Sequence, residues 1–111
     1  MDATSVVIVL TTLPADADPA ALARHLIGER LAACVSALPV MTSIYRWEGA
    51  VQEEGERQLL IKTSAARLDA LQTRLHALHP YQVPEFIVLP AAAASARYAQ
   101  WVDDAVIQDE A

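Results

Sequence analysis

Leu78-His79-Pro80-Tyr81-Gln82-Val83-Pro84-Glu85 stands between a helical pattern and a strand-like run, and the order of elements on its two sides decides the fold. Pro80 ends the preceding helix, because proline lacks a backbone donor and has a fixed φ, and Pro84 fixes the backbone at the other end of the connection. The segment also carries an imidazole, a phenol and a carboxylate on a short, stiff connection. Functional groups often lie on loops held by a rigid scaffold, so the segment is either a candidate site or a plain helix-to-strand turn.

The first half of the chain predicts a strand, a helix and a kinked strand. Residues 5–10 form a β-branched run that is typical of a buried strand. Asp18 and the proline after it predict a helix start, and apolar spacing carries that helix over residues 19–31. Residues 33–38 and 42–48 then predict a second strand, kinked at the intervening proline.

The second half predicts two more strands and two more helices. Residues 52–56 are acidic and contain a glycine, which predicts a solvated hairpin tip before a third strand at residues 58–63. Ser64 is the predicted cap of a second helix, in which leucines recur at i, i+3, i+7 and i+10. Residues 86–89 predict a fourth strand, and Ser95 is the predicted cap of a last helix.

The resulting order, β-α-β-β-α-β plus a C-terminal helix, is the split βαβ arrangement of a ferredoxin-like α+β fold with an antiparallel sheet. Right-handed crossovers place both main helices on one face of that sheet. The length of 111 residues predicts a single domain, 1–111. Because 22 residues are alanine, the core is expected to be small. We therefore expect the third helix and sister chains to cover the opposite face.

Composition excludes several classes of function. The net charge of −6, without any Lys/Arg cluster, argues against nucleic acid and against an anionic membrane surface. No apolar run approaches the roughly 18 residues of a membrane span, and the N-terminus lacks the basic start of a signal peptide, so we expect a cytoplasmic protein. The single cysteine excludes a disulfide framework. No phosphate loop, HExxH or GxSxG motif occurs, so no required cofactor is expected and no catalytic constellation is recognised. An enzyme that uses Lys62, His79, Tyr81 or Glu85 for acid–base chemistry is the remaining alternative.

Five stretches stand in matching order along the chain: residues 29–35, 42–49, 60–63 and 79–85, and Tyr98 with Trp101. Together they resemble the CutA family of divalent-cation tolerance proteins. The resemblance implies a homotrimer of ferredoxin-like subunits, similar in architecture to PII signalling proteins, with edge strands paired between subunits. It also implies a role in tolerance to divalent metals, with copper or another divalent ion as the expected ligand. The alternative is a PII-like trimeric sensor that binds a small molecule at the subunit interface.

Cys34 and His79 are the candidate metal ligands, because thiolate and imidazole groups suit copper and zinc. Some family members carry a second cysteine where this chain has Thr11 and a further histidine where it has Leu78. In the alternative interpretation, Cys34 is a small buried hydrophobe in an apolar strand. His79 follows a helix C-terminus, whose dipole favours the protonated imidazole and predicts a raised pKa, which opposes metal binding.

Five further residues are candidates for a ligand pocket: Tyr45, Trp47, Lys62, Tyr81 and Glu85. Tyr45 and Trp47 share one face of a strand and are large enough to form a pocket wall. Lys62 interrupts an apolar strand, so its ammonium group either extends to solvent or pairs with an acid. The candidate acids are Glu85 and a residue of another subunit. Their convergence at a subunit junction would create a polar pocket with an apolar wall. The alternative for the aromatic residues is packing in the core or at an interface.

Overall fold

The computed structural model describes residues 4–107, which form five strands and three helices. The predicted α+β class and order of elements are confirmed, with the kinked second strand divided into two strands. None of the helices in this part of the chain is long and apolar enough to cross a membrane. In chain order the elements are β1 (Val6–Pro14), α1 (Pro19–Gly28), β2 (Cys34–Ala37), β3 (Met41–Trp47), β4 (Ala50–Ser64), α2 (Leu68–Leu78), β5 (Ile87–Pro90) and α3 (Ala96–Ala105).

The sheet is antiparallel throughout and is organised around β4, which has 15 residues. On one edge β4 pairs with β1, from Glu56 to Ser64, and β1 in turn pairs with β5. On its other edge, β2 pairs with residues 59–62 and β3 with residues 50–56, so the two short strands lie end to end. The predicted kink at Pro39 is the point where the chain passes from β2 to β3.

The hairpin between β3 and β4 turns at Glu48 and Gly49, not in the acidic segment where the sequence predicted its tip. Trp47 pairs with Ala50, which leaves a two-residue connection. Both connecting residues have positive φ, 50° for Glu48 and 78° for Gly49. This is the backbone that a tight type I′ hairpin needs, because its twist matches that of the flanking strands.

The acidic segment, residues 52–56, belongs to β4. Its glycine is explained by close packing and not by a turn. A side chain at Gly55 would bring a Cβ atom to 3.3 Å from the Cβ of Ala15, and the Gly55 carbonyl accepts a hydrogen bond of 3.2 Å from the Ala15 amide. Acidic residues can lie in this strand because much of the arm is solvent-exposed on both faces.

The first helix ends at Gly28, three residues before the predicted end at Leu31. Arg30 has φ of 58° and reverses the chain, and its amide donates to the carbonyl of Ile27 at 3.1 Å. The Leu31 amide donates to the carbonyl of Leu26 at 2.9 Å, and this second bond completes a Schellman motif. Leu26 and Leu31 are both buried, so the cap is sealed by an apolar contact that continues the core.

Two of the three predicted helix caps are confirmed. The Asp18 carboxylate accepts from the Ala20 amide at 2.9 Å, and the Ser95 hydroxyl accepts from the Tyr98 amide at 3.4 Å. The prediction for Ser64 was wrong, since its side chain makes no capping bond and a 3-10 turn, Ala65–Arg67, precedes α2. Ser64 instead ends β4, where it lies opposite Val6 in the ladder.

The main core lies between one face of the sheet and the helices α1 and α2, as predicted. A second, smaller cluster on the opposite face joins Val6 of β1 and Ala33 to Val102 and Val106 of α3 and its C-cap. The third helix thus covers part of this opposite face, in agreement with the prediction. The buried side chains of the main core are Val9, Leu13, Leu22, Leu26, Leu31, Ala32, Leu59, Ile61, Leu71 and Leu75.

The β3–β4 turn offers a test of the hairpin geometry. Asparagine tolerates positive φ better than glutamate, so Glu48→Asn is expected to raise the free energy of unfolding by about 1 kcal/mol. Glu48→Gln removes the same charge without this backbone preference and is expected to leave stability unchanged. Chemical denaturation at matched protein concentration measures both, and equal effects of the two substitutions would contradict the assigned turn.

Candidate functional site

The imidazole of His79 is buried where the chain leaves α2, and both of its ring nitrogens are hydrogen-bonded. The Tyr81 amide lies 3.0 Å from Nδ1 and can only donate, so Nδ1 is the unprotonated nitrogen. Nε2 then carries the proton and donates to the carbonyl of Thr12 at 2.7 Å. This neutral tautomer ties the segment after α2 to β1.

Burial lowers the pKa of His79, so the predicted increase from the helix dipole was wrong. Desolvation penalises the imidazolium and is the largest influence, and the charge of His76 acts in the same direction. The hydrogen bond to Thr12 and the charge of Glu56 oppose it but are smaller. His79 is therefore held as a neutral structural group.

The loop formed by residues 79–86 is fastened to β4 at two alternate residues. The Tyr81 hydroxyl donates to Oε2 of Glu56 at 2.6 Å, and Glu56 is only 7% exposed. The side-chain amide nitrogen Nε2 of Gln58 donates to Oε2 of Glu85 at 2.8 Å, and also to the backbone carbonyl of Thr11 at 2.8 Å. Bonds to carboxylates are stronger than neutral ones, so they hold the loop firmly across the sheet.

The loop, β3 and β4 enclose one cleft of about 760 Å³. Residues that lie opposite each other in the ladder share a face, so Ser43 of β3 stands beside Glu54 of β4, and Met41 beside Glu56. Alternation along β3 then brings its two aromatic residues to the same face. The cleft is lined by Thr12, Met41, Ser43, Tyr45, Trp47, Glu54, Glu56, Gln58 and residues 80–85.

Four of the five residues predicted for a pocket line this cleft: Tyr45, Trp47, Tyr81 and Glu85. Lys62 does not, because it lies four residues beyond Gln58 in β4, about 13 Å away at the usual strand rise. Its ammonium group instead lies 5.9 Å from the centre of the Tyr98 ring. The predicted pairing of Lys62 with Glu85 was therefore wrong, and Gln58 is the partner of that carboxylate.

Sequence reasoning missed the polar residues that β4 contributes to the cleft, Glu54, Glu56 and Gln58. The incorrect hairpin tip hid them, because it placed the first two in a loop. A turn at Glu48-Gly49 would have revealed a strand in which these three residues alternate on one face.

The structure does not bring the two candidate metal ligands together within one chain. Cys34 lies opposite Lys62 in the ladder, whereas Thr12, the partner of His79, lies opposite Gln58. The thiol of Cys34 is half-buried, 3.8 Å from the hydroxyl of Ser36. Over residues 4–107, no group of three or more His, Cys, Asp and Glu side chains is arranged to hold a metal ion.

The cleft has negative electrostatic character. Desolvation, a hydrogen bond to Glu54 and the charges of Glu54 and Glu56 raise the pKa of Tyr45. The pKa of Tyr81 is also raised, chiefly by desolvation and by the bond to Glu56. The charges of Glu56, Glu54 and Tyr45 act in the same direction. Each phenol thus resists ionisation and remains a neutral hydrogen-bond donor at physiological pH.

The fold and the cleft define a class: an α+β, ferredoxin-like protein with two helices on one sheet face and an open acidic, aromatic cleft on the other. The family model described as CutA1 divalent ion tolerance protein matches residues 7–105. The chain belongs to this CutA1 divalent ion tolerance family.

Individual relatives support the assignment. The divalent-cation tolerance protein CutA of Thermus thermophilus is 45% identical over 95 residues, which cover 86% of this chain and 92% of that protein. The crystal structure of CutA from Xylella fastidiosa superposes with a TM-score of 0.88 at 40% identity, covering 94% of this chain and all of the other. CutA1 from Oryza sativa gives 0.89 at 37% identity, covering 96% and 98% of the two chains.

The bond between Tyr81 and Glu56 predicts a measurable loss of stability. Tyr81→Phe leaves a buried carboxylate without this donor and is expected to lower the free energy of unfolding by about 2 kcal/mol. Tyr98→Phe, which removes a hydroxyl that does not line the cleft, should change it by less than about 0.5 kcal/mol. Chemical denaturation at matched concentration checks both. Similar effects of the two substitutions would contradict a structural role for the bond.

The lowered pKa of His79 predicts that stability depends on pH. Its ordinary value is 6.5, and the folded value is lower, so below pH 6.5 the unfolded chain binds more protons than the folded one. The free energy of unfolding is therefore complete above pH 6.5 and decreases as the pH falls below it. His79→Gln keeps a donor and an acceptor but does not titrate. The variant should therefore lose less free energy of unfolding between pH 6.5 and 5 than the unchanged chain. Denaturation curves at several pH values test this, and identical pH profiles would contradict it.

Proposed function

We propose that this chain acts as a homotrimeric binding protein in divalent-cation tolerance and that the cleft between the β3–β4 arm and the loop at residues 79–86 is its ligand site. The observation that carries the proposal is the convergence of Tyr45, Trp47, Tyr81 and Glu85, from two separate segments, on one cleft. A volume of about 760 Å³ falls within the range of small-molecule sites. Its polar groups are positioned by hydrogen bonds, which favours binding without large rearrangement.

Exposed apolar residues support assembly into a trimer. Ile87 and Leu89 of the edge strand β5 are 48% and 44% exposed, and Trp101 of α3 is 48% exposed. On the β3–β4 arm, Ile44 and Val51 are 67% and 65% exposed, on the sheet face opposite the cleft. Apolar surface of this kind is typical of a protein interface. Sister chains that pair along the sheet edges would bury it.

Direct binding of copper or another divalent ion is the second candidate, favoured by the divalent-cation tolerance relatives. His79 would have to release either Thr12 or the Tyr81 amide to become a ligand. Cys34 lies elsewhere on the sheet, so a site that uses both residues needs neighbouring copies of the chain. Carboxylates of the cleft are the more accessible ligands for a hard cation.

A cytoplasmic location belongs to the same proposal. The chain has one cysteine, and Cys34 is a free thiol. Free thiols are typical of reducing compartments. Fractionation of cells that express the tag-free chain would test this location.

Light scattering and ligand screening test the proposed function. Tag-free protein is expected to have a mass three times its 12.0 kDa chain mass. Thermal denaturation with a set of metal ions and small molecules should show at least one that raises the melting temperature, since a ligand of the folded state stabilises it. That increase should decrease in Glu54→Gln but not in Glu53→Gln, which lies on the other sheet face.

Two results would contradict the proposal. A monomer mass would remove the trimer. An increase in melting temperature that is equally large in both variants would place the ligand outside the cleft.

A further inference from the structure

We infer that the cleft selects a small organic cation with an ammonium group, in preference to anions and bare metal ions. This inference rests on the proposed function, in which the cleft is the ligand site. It concerns the chemical class of the ligand, and three features of the cleft support it: charge, aromatic walls and size.

The charge of the cleft favours a cation. Glu54, Glu56 and Glu85 line it, and among its described lining residues there is no lysine, arginine or histidine. The nearest cationic residues along the strands, Arg46 of β3 and Arg57 of β4, alternate with cleft residues and belong to the opposite sheet face. A carboxylate or phosphate ligand would meet like charges without compensation, so anions are disfavoured.

The aromatic walls favour an organic cation. Tyr45 and Trp47 stand two residues apart on one face of β3, and Tyr81 reaches the same cleft from the loop. The bond from the Tyr81 hydroxyl to Glu56 holds the Tyr81 side chain in place before any ligand arrives. Aromatic faces attract ammonium groups, and the attraction increases when the group is partly desolvated.

Size and ligand geometry disfavour a bare metal ion. All three carboxylates already have a hydrogen-bond partner: Glu54 with Tyr45, Glu56 with Tyr81 and Glu85 with Gln58. The described residues contain no set of three or more metal-ligating side chains, and a cleft of about 760 Å³ is far larger than one ion requires. Apolar lining from Met41, Val83 and the loop prolines instead fits the carbon body of an organic molecule.

Calorimetric titration of the assembled, tag-free protein with choline and with 3,3-dimethylbutan-1-ol tests the inference. The two probes have nearly the same shape, but only choline carries a charge. Choline is expected to bind at least about ten-fold more tightly, because carboxylates and aromatic faces act only on the cation. Binding of choline should weaken as salt is raised.

Matched variants locate the effect. Trp47→Leu removes the aromatic face and is expected to weaken choline binding about five-fold, whereas Trp47→Phe retains most of the affinity. Glu54→Gln should weaken binding by a similar factor, and Glu53→Gln, on the opposite face, should not. Thermal denaturation of each variant confirms that its fold is intact.

Equal affinity for the two probes, or equal binding by Trp47→Leu and Trp47→Phe, would overturn the inference. If metal ions, anions or neutral compounds bind with the Glu54 dependence while choline does not, the proposed function stands and the inference fails. If no probe or ion shows that dependence, the cleft is not the ligand site, and the proposed function fails with it.

Discussion

The unbroken register of β4 is the constraint on which the rest of the structure depends. Its 15 residues pair with β1 along one edge and with β2 and β3 along the other. Because side chains alternate, one face contributes Leu59 and Ile61 to the core, while the other contributes Glu54, Glu56 and Gln58 to the cleft. A slip by one residue would exchange the two faces and turn Gln58, Leu60 or Lys62 toward the core in place of Leu59 and Ile61. The packing that stabilises the core thus also positions the cleft.

The loop after α2 completes the cleft, and buried polar groups hold it there. His79 donates to Thr12 and accepts from the Tyr81 amide, so its ring joins the loop to β1. Tyr81 and Glu85 then bond to alternate residues of β4. A buried polar group costs free energy unless it is hydrogen-bonded. Each of these bonds satisfies such a group and also helps to hold the loop where the other bonds can form. The role of His79 in this chain is therefore to hold the loop in position.

Much of this arrangement could be predicted from sequence. The β-branched and leucine periodicities, the cap at Asp18 and the two loop prolines are local signals, and they were sufficient for the order of elements. The strand alternation of Tyr45 and Trp47 was sufficient to place them on one face. The partner of Lys62 could not be predicted, because it depends on where α3, which carries Tyr98, packs along β4. That placement is a property of the whole fold.

The sequence by itself determined the fold class, the family and four residues of the cleft, because each rests on short-range sequence patterns. Only the tertiary structure decided where the β3–β4 hairpin turns, since Glu48-Gly49 and Gly55 offered two glycine signals, and close contact with Ala15 explains the second. It also decided the charge state of His79. An imidazole at a helix end favours protonation in isolation, but burial against β1 imposes a larger penalty on its charged form, and burial depends on the packing of distant segments.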